Sequence, residues 1–408
     1  EADNDSAIKD ARAAQSSGGL RAMLALAASE AEIARTPDDF DRDPMLLNCM
    51  NGTLDLRTGE LRPHRRDDLI THLCPVAYDP KAKSAIWDAF LSFATREDAT
   101  LSDFLQRAVG YSLTGRTDEE KLFLVHGEEN TGKSTFIGAI KATLGGLAKT
   151  ADMQTFIEQR FASRGGPSED IARLVGARLV ASIEVEDGAK LAHALVKHIT
   201  GKEAITARFL RENSFEFMPA FKLWLVCNAA PRMDHDDGAI WRRVLRIPLD
   251  RIVPPERRDP RVKAHLIGDN GAPGVGAAAV LAWAVRGCLA WQRDGLGVPE
   301  IVKEATRALR EENDPLREFV ASRCILCPGD REWHWVLKSD LRKAYEEWCR
   351  SVGSKFPVGP RHFAKGLRDR KCVDGPKRTS GGVQDAWFGI RLRTLQDASQ
   401  SEYTSEAN

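Results

Sequence analysis

The stretch from Phe123 to Thr135 reads FLVHGEENTGKST, and Gly127-Glu128-Glu129-Asn130-Thr131-Gly132-Lys133-Ser134 within it fits G-x-x-x-x-G-K-[ST], with Thr135 following. An apolar run, Leu122 to Val125, enters the stretch. A helix-periodic segment with Phe136, Ile137, Ile140 and Leu144 leaves it. Glycines at 127 and 132 let the backbone turn tightly, so that successive N–H groups and the following helix's N-terminus face an anion. In such a loop Lys133 reaches the β- and γ-phosphates of a nucleotide, and Ser134 offers its hydroxyl to Mg²⁺. The alternative is a chance glycine loop, and strand, loop and helix in this order speak against it.

Two further sets of residues suit phosphoryl chemistry. The apolar run Arg178 to Ile183 ends in Glu184-Val185-Glu186-Asp187. A strand ending in carboxylates beside the strand that feeds a phosphate loop can hold Mg²⁺ and orient water. Strand alternation puts Glu184 and Glu186 on one face, with Glu184 the principal acid. The second apolar run, Phe221 to Cys227, ends at Asn228, which is either a γ-phosphate sensor at the ligand crevice or a turn former before Pro231. Arg242 and Arg243 then precede a strand-like run; they are either solvated side chains or arginine fingers reaching a neighbouring subunit. Between these, the β-rich runs 204–210 and 215–218 flank a turn with Arg208 and Arg211 near its tip.

The elements around these residues follow from pattern. Residues 1–44, with ten acidic and five basic side chains, suggest a helical lead with apolar positions at Leu20, Met23, Leu24 and Leu26. Asn51-Gly52 between apolar runs predicts a β-hairpin. Helices are expected around Trp87 to Phe93 and Leu101 to Leu113, from Ala189 to Thr200, and over most of 259–313. Beyond Asn313-Asp314-Pro315, helices and then two β-rich runs around Gly381-Gly382 describe a winged-helix-like module. Residues 394–408 are expected to be disordered.

Composition narrows the class. The 408 residues are 42% hydrophobic and 29% charged, with Lys plus Arg equal to Asp plus Glu at 59 each. Two or three domains are expected at this length. The charge is uneven: Arg350 to Arg393 holds eleven Lys and Arg against three Asp, which suggests a polyanion contact or a solvated face. No run approaches a membrane span, and no signal peptide starts the chain. Eight scattered Cys fit reduced thiols in a cytoplasm. Cys324-x-x-Cys327 near His334 is at most half a zinc site, because no second Cys pair follows. The chain begins at Glu1 without a Met, which suggests a fragment or a processed chain.

In combination, the loop Gly127 to Thr135, Glu184 with Glu186, Gly201 to Arg208, Asn228 and Trp241-Arg242-Arg243 resemble the superfamily III helicases. The likeness is greatest to the phage and plasmid primase-helicases related to the poxvirus protein. Leu47-Asn48, Asn51 to Leu56, Leu195 to Lys197 and Phe221 to Trp224 extend it to residues 45–395.

The resemblance implies an α/β fold: an AAA+-like P-loop ATPase core at 119–294, preceded by an N-terminal α+β and helical collar domain at 45–118 and followed by a winged-helix-like DNA-binding domain at 295–393. It implies a hexameric ring in a bacterial host's cytoplasm, using ATP and Mg²⁺ to track 3′ to 5′ on single-stranded or forked DNA. A primase domain or other replication proteins are implied partners. Lys133 and Ser134 become the ATP and Mg²⁺ residues, Glu184 the metal and water acid, and Asn228 the sensor. Arg243 is the first choice of finger and Arg242 the second. Lys202, Arg208 and Arg211 match the DNA-binding hairpin, although Gly201-Lys202-Glu203 stands where the family often has Gly-Gly-Asp. A DNA-stimulated ATPase switch that loads or remodels replication proteins without unwinding is the alternative function.

Overall fold

A computed structural model of the chain describes residues 2–31, 33–158, 169–183, 188–269, 271–353, 357–394 and 397. The acidic lead forms α1 (Ala2–Gln15) and α2 (Ser17–Ala27), with the Ser16 hydroxyl accepting from the Gly19 N–H at 3.0 Å as the cap of α2. The periodic apolar positions of α2 stay exposed. The turn at Met50-Asn51 joins β1 (Leu46–Cys49) to β2 (Gly52–Asp55), and β3 (Glu60–Arg62) completes an antiparallel three-stranded sheet. Two capped helices follow, α3 (Ala85–Ala94) behind Ser84 and α4 (Ala99–Ser112) behind Asp98.

The next elements are β4 (Leu122–His126), α5 (Lys133–Leu144), β5 (Ala148–Thr150), the short α6 (Glu169–Ala172), β6 (Leu179–Ile183) and α7 (His193–Ile199). A small antiparallel hairpin, β7 (Ile205–Ala207) with β8 (Phe215–Phe217), leads into β9 (Lys222–Cys227), then α8 (Gly238–Trp241) and β10 (Val244–Pro248). Five of these strands form one parallel sheet in the order β10-β4-β9-β6-β5. This corrects one expectation: the strand leading to Glu184, β6, is not beside β4, because β9 runs between them. A parallel sheet buries both faces, so its strands read as near-continuous apolar runs, and such runs do not reveal their neighbours.

Three helices close the sheet: α9 (Pro260–Ile267), α10 (Ala277–Asp294) and α11 (Glu300–Glu312), with the Arg246 N–H on β10 donating to Thr306 of α11 at 2.9 Å. Helices α4 and α10 meet backbone to backbone at two glycines. A Cβ on Gly110 would lie 2.0 Å from the Cys288 nitrogen, and one on Gly287 would lie 1.9 Å from the Gln106 carbonyl oxygen. Trp87 of α3 stacks on Phe136 of α5, which packs at a tilt against Trp224 of β9 between helices and sheet. One hydrophobic core therefore runs without a break from Met45 to Val302.

Beyond residue 315 a separate core gathers Leu316, Phe319, Tyr345, Phe363 and Trp387. Its elements are α12 (Arg317–Arg323), β11 (Cys324–Leu326), β12 (Trp335–Leu337), α13 (Lys338–Ser351), α14 (Pro360–Asp369), β13 (Val373–Thr379), β14 (Gly382–Phe388) and β15 (Ile390–Leu392). The sheet order is β12-β14-β13, with β11 paired to β15. Of the tail expected to be disordered, 394–408, all but Thr394 and Asp397 lie outside the described residues.

Two buried cations fix where β6 and β9 begin. Arg178 donates to the Leu113 carbonyl at 2.7 Å and to the Leu46 carbonyl, and burial brings its pKa down to about 10. Lys222 donates to the carbonyls of Thr114, Arg116 and Ala220, lies 4.9 Å from the centre of the Tyr111 ring, and has its pKa lowered by burial. Neither has a carboxylate partner among the described residues; the acceptors include the Leu113 and Thr114 carbonyls at the C-terminus of α4, where the helix dipole favours positive charge. Lys222→Ala would leave these carbonyls buried and unpaired. Chemical denaturation of that variant should show a loss of about 2–4 kcal/mol.

Candidate functional site

All five strands of the central sheet point the same way, so their C-terminal ends share one edge, where ligands bind in open α/β sheets. The loop after β4 lies on that edge. Gly127 packs against β10's continuation so closely that a Cβ would sit 1.9 Å from the Leu249 carbonyl oxygen. Gly132, at φ 89°, ends the loop and caps α5, a helix with no acidic residue in its first turn. Its N-terminus is therefore open to an anion.

Lys133 is only 6% exposed and curls back into the loop. Its ammonium donates to the carbonyls of Gly127, at 2.7 Å, and Glu128, and burial lowers its pKa. Thr131 is buried and closes the loop by donating to Glu128 O at 3.1 Å. Glu128, Glu129, Asn130 and Ser134 are exposed, with Thr135 half-buried. Asn130, at φ 60°, accepts from the Val253 N–H at 2.8 Å, which ties the loop to the segment after β10. A cradle of backbone amides around a buried ammonium, with a free hydroxyl one residue on, fits a nucleotide's phosphates and a hydrated divalent cation.

Register places the strand ends of β6 and β9 relative to this loop. His126 pairs with Cys227, so Asn228 stands directly beside Gly127 at the exposed edge. Ile183, the last described residue of β6, pairs with Val226 and is thus level with Val125 two strands away. Glu184 and Glu186 themselves lie outside the described residues.

Arg242 and Arg243 lie at the other end of the sheet, where β10 begins and the Leu122 N–H donates to the Arg243 carbonyl at 2.8 Å. Five residues of strand, about 17 Å, separate that end from the loop. The two arginines differ in kind. Arg243 is half-buried and donates to Thr200 Oγ1 at 3.1 Å, to the Ala239 carbonyl at 3.1 Å and to Glu120 at 3.0 Å. Arg242 is exposed, and among the described residues its side chain has no hydrogen-bond partner. Lys202, Arg208 and Arg211 are also exposed, Arg208 and Arg211 on the connection between β7 and β8. Arg211 takes φ 66° at the tip.

Several residues near the site carry no motif. Leu210 at the hairpin tip is 72% exposed, while Phe209 stacks on Phe215 at 5.7 Å behind it. Arg246 bridges Glu312 at 3.0 Å and the His126 ring at 3.3 Å beside the loop. His126 has its pKa lowered by burial and then by that guanidinium. Asp237 starts α8 by accepting from the Ala239 N–H at 3.1 Å and the Ile240 N–H at 3.3 Å. Its other oxygen accepts from Lys197 at 2.8 Å and faces His193 at 3.1 Å. The Asp237-Gly238 pair ahead of Trp241 was the signal available for that cap.

Comparison with known proteins gives two family matches and several relatives. A family described as "D5 N terminal like" matches residues 1–96, and a family of unknown function matches residues 125–243. Protein L207/L206 of Acanthamoeba polyphaga mimivirus is 26% identical over 340 residues, 79% of this chain and 35% of that protein. Protein 022R of Frog virus 3 (isolate Goorha) is 30% identical over 424 residues, 83% of this chain and 42% of that protein. Both carry provisional helicase names. The chain is thus similar to these viral proteins over most of its own length. It spans between about a third and two fifths of the length of these two relatives. Among solved structures, the apo NrS-1 C-terminal region (305–718) aligns with a TM-score of 0.47 at 12% identity over 76% of each chain. No helix among the described residues is long and apolar enough to cross a membrane.

Asp237 gives the arginine end of the sheet an acid limit. Burial alone would raise its pKa; hydrogen bonds from Lys197 and the Ile240 N–H and the Lys197 charge outweigh that and hold it at about 2, against 3.8 for a free side chain. The depressed value means the carboxylate's stabilisation is complete above pH about 4 and lost as pH falls toward about 2. After allowance for solvent screening it amounts to about 1 kcal/mol. Acid titration of Asp237→Asn, followed by intrinsic fluorescence, should show that part of the stability gap to the parent closing over the same window.

Proposed function

We propose that the chain is the motor part of an ATP-dependent DNA helicase of a phage, plasmid or integrated mobile element, acting as a hexameric ring that moves 3′ to 5′ on single-stranded DNA in the host cytoplasm. The observation that carries the proposal is the placement of the two chemical groups at opposite ends of one parallel sheet. Lys133 and Asn228 sit at the C-terminal edge, and Arg242, whose side chain has no hydrogen-bond partner among the described residues, sits about 17 Å away at the other. A subunit built this way holds a nucleotide but cannot complete its own site; a neighbour arranged head to tail can.

In this reading the loop amides and Lys133 bind the phosphates of ATP, which offer the ammonium stronger acceptors than the two carbonyls it now holds. Glu184 as the principal acid, with Glu186 second, orients the attacking water, and Asn228 senses the γ-phosphate. Mg²⁺ suits Ser134 and Glu184, and when bound it supplies charge neutralisation on the phosphates. Arg242 is the finger acting on the adjacent subunit, because Arg243 is already committed to Glu120, Thr200 and the Ala239 carbonyl. Such a residue contributes about 10³ to 10⁵ in rate.

The β7–β8 hairpin would carry the DNA contact. Lys202, Arg208 and Arg211 offer positive charge to phosphates, and Leu210 between them gives the tip an apolar point. Binding should be salt-sensitive and largely independent of sequence. The C-terminal module, with α13 and α14 followed by the β13–β14 hairpin and β12 on the far side of β14, suits a winged-helix contact with duplex DNA near the fork. A primase domain or other replication proteins would be the natural partners.

ATP-driven strand displacement on forks with a 3′ or a 5′ tail tests the motor. Unwinding of the 3′-tailed fork, lost in Lys133→Ala, is the expected result. ATP hydrolysis stimulated by DNA, with no displacement on either fork, would instead favour a switch that loads or remodels replication proteins.

The shared site makes a separate prediction. Lys133→Ala and Arg242→Ala should each be inactive alone, whereas a mixture should regain a measurable fraction of ATPase activity, because some interfaces then join an intact loop to an intact finger. Arg243→Ala should show lowered thermal stability in place of that complementation.

A further inference from the structure

We propose that Cys327, Asp330 and His334 form a binding site for a divalent cation of the zinc class, which clips the loop between β11 and β12. Each offers one ligand atom, and the three atoms lie within 4.8 Å of one another. The set mixes a thiol, a carboxylate and an imidazole, the combination that zinc accepts and that Mg²⁺ and Ca²⁺ do not select. Zinc bonds of about 2.0–2.3 Å in a tetrahedron need donors about 3.5 Å apart, which small side-chain rotations supply here. Water would take the fourth position.

The pairing differs from the one expected from Cys324-x-x-Cys327. Cys324 is 2% exposed inside the C-terminal core, and burial pushes its thiol up to about 12. Cys327 is the one cysteine of the eight that is not fully buried. Its loop is held before any cation arrives. The Cys327 N–H donates to the Gly389 carbonyl at 2.9 Å, and the Gly389 N–H donates back to the carbonyls of Asp330 at 3.0 Å and His334 at 2.7 Å. The two oxygens of Asp330 have separate tasks. Oδ1 accepts from the N–H groups of Glu332 at 2.8 Å and Trp333 at 3.0 Å, and Oδ2 faces His334 Nδ1 at 2.7 Å. A cation entering here displaces the thiol proton to solvent and gains a thiolate.

The clip has a visible beneficiary. The same loop presents Trp333, 74% exposed, and Arg331, beside Lys377 stacked over Trp335 at 4.9 Å. Fixing residues 327–334 would set the position of this aromatic and basic surface.

Titration of the metal-free full chain with Co²⁺, read by thiolate-to-cobalt charge-transfer absorption, tests the site, followed by competition with Zn²⁺ and metal analysis after dialysis. One equivalent per chain is expected at micromolar cation, displaced by Zn²⁺ and not by Mg²⁺. Cys327→Ser and His334→Ala should each lose at least tenfold in affinity, while Cys324→Ala keeps the band. Absence of a saturable band in the parent chain, or a band that survives in the Cys327→Ser, His334→Ala double variant, would overturn the proposal. The parent titration decides the matter even where a variant fails to fold, and it is independent of any helicase activity.

Discussion

Positive charge buried without a negative partner sets the frame of this molecule. Arg178 and Lys222 enter the sheet side by side, with the Lys222 N–H donating to the Arg178 carbonyl at 2.9 Å, and both side chains reach the end of α4. A cation moved out of water this completely is tolerated only where carbonyl dipoles replace its hydration. Those carbonyls exist in one place, so β6 and β9 can begin at only one height. Their far ends are then fixed too, which brings Asn228 level with the phosphate loop. The α4 anchor thus determines the geometry of a site on the opposite edge.

That edge and its counterpart divide the chemistry. The loop edge has open amides, a buried ammonium and an exposed hydroxyl, a set that suits a polyanion. The arginine edge has one guanidinium engaged by three acceptors and one that has no hydrogen-bond partner among the described residues. Separation along a strand is a rigid constraint, since a pleated backbone of five residues neither stretches nor bends enough to close it.

The strand, loop and helix around Gly127 to Ser134 were legible because their pattern is local: an apolar run, two glycines for the turn, and a helical period after it. The Asn51-Gly52 hairpin and the helices around Trp87 and Phe104 were legible for the same reason. Strand order was not, because the apolar runs of β6 and β9 look alike and only long-range pairing puts β9 next to β4. Neither could Arg242 be told from Arg243 by type or spacing. What separates them is Glu120, more than a hundred positions away in the chain. Cys324 and Cys327 show the same limit, since a C-x-x-C spacing does not say which thiol the core will bury.

The glycine seam between α4 and α10 has a mechanical meaning. Most helix pairs touch through side chains, which can slide, re-rotamer and absorb a small displacement. At Gly110 and Gly287 there is no such cushion, because backbone rests on backbone. The helix α10 and the helix that anchors Arg178 and Lys222 therefore behave as one stiff beam. A shift started at either end of the sheet reaches the other with little lost to internal slack.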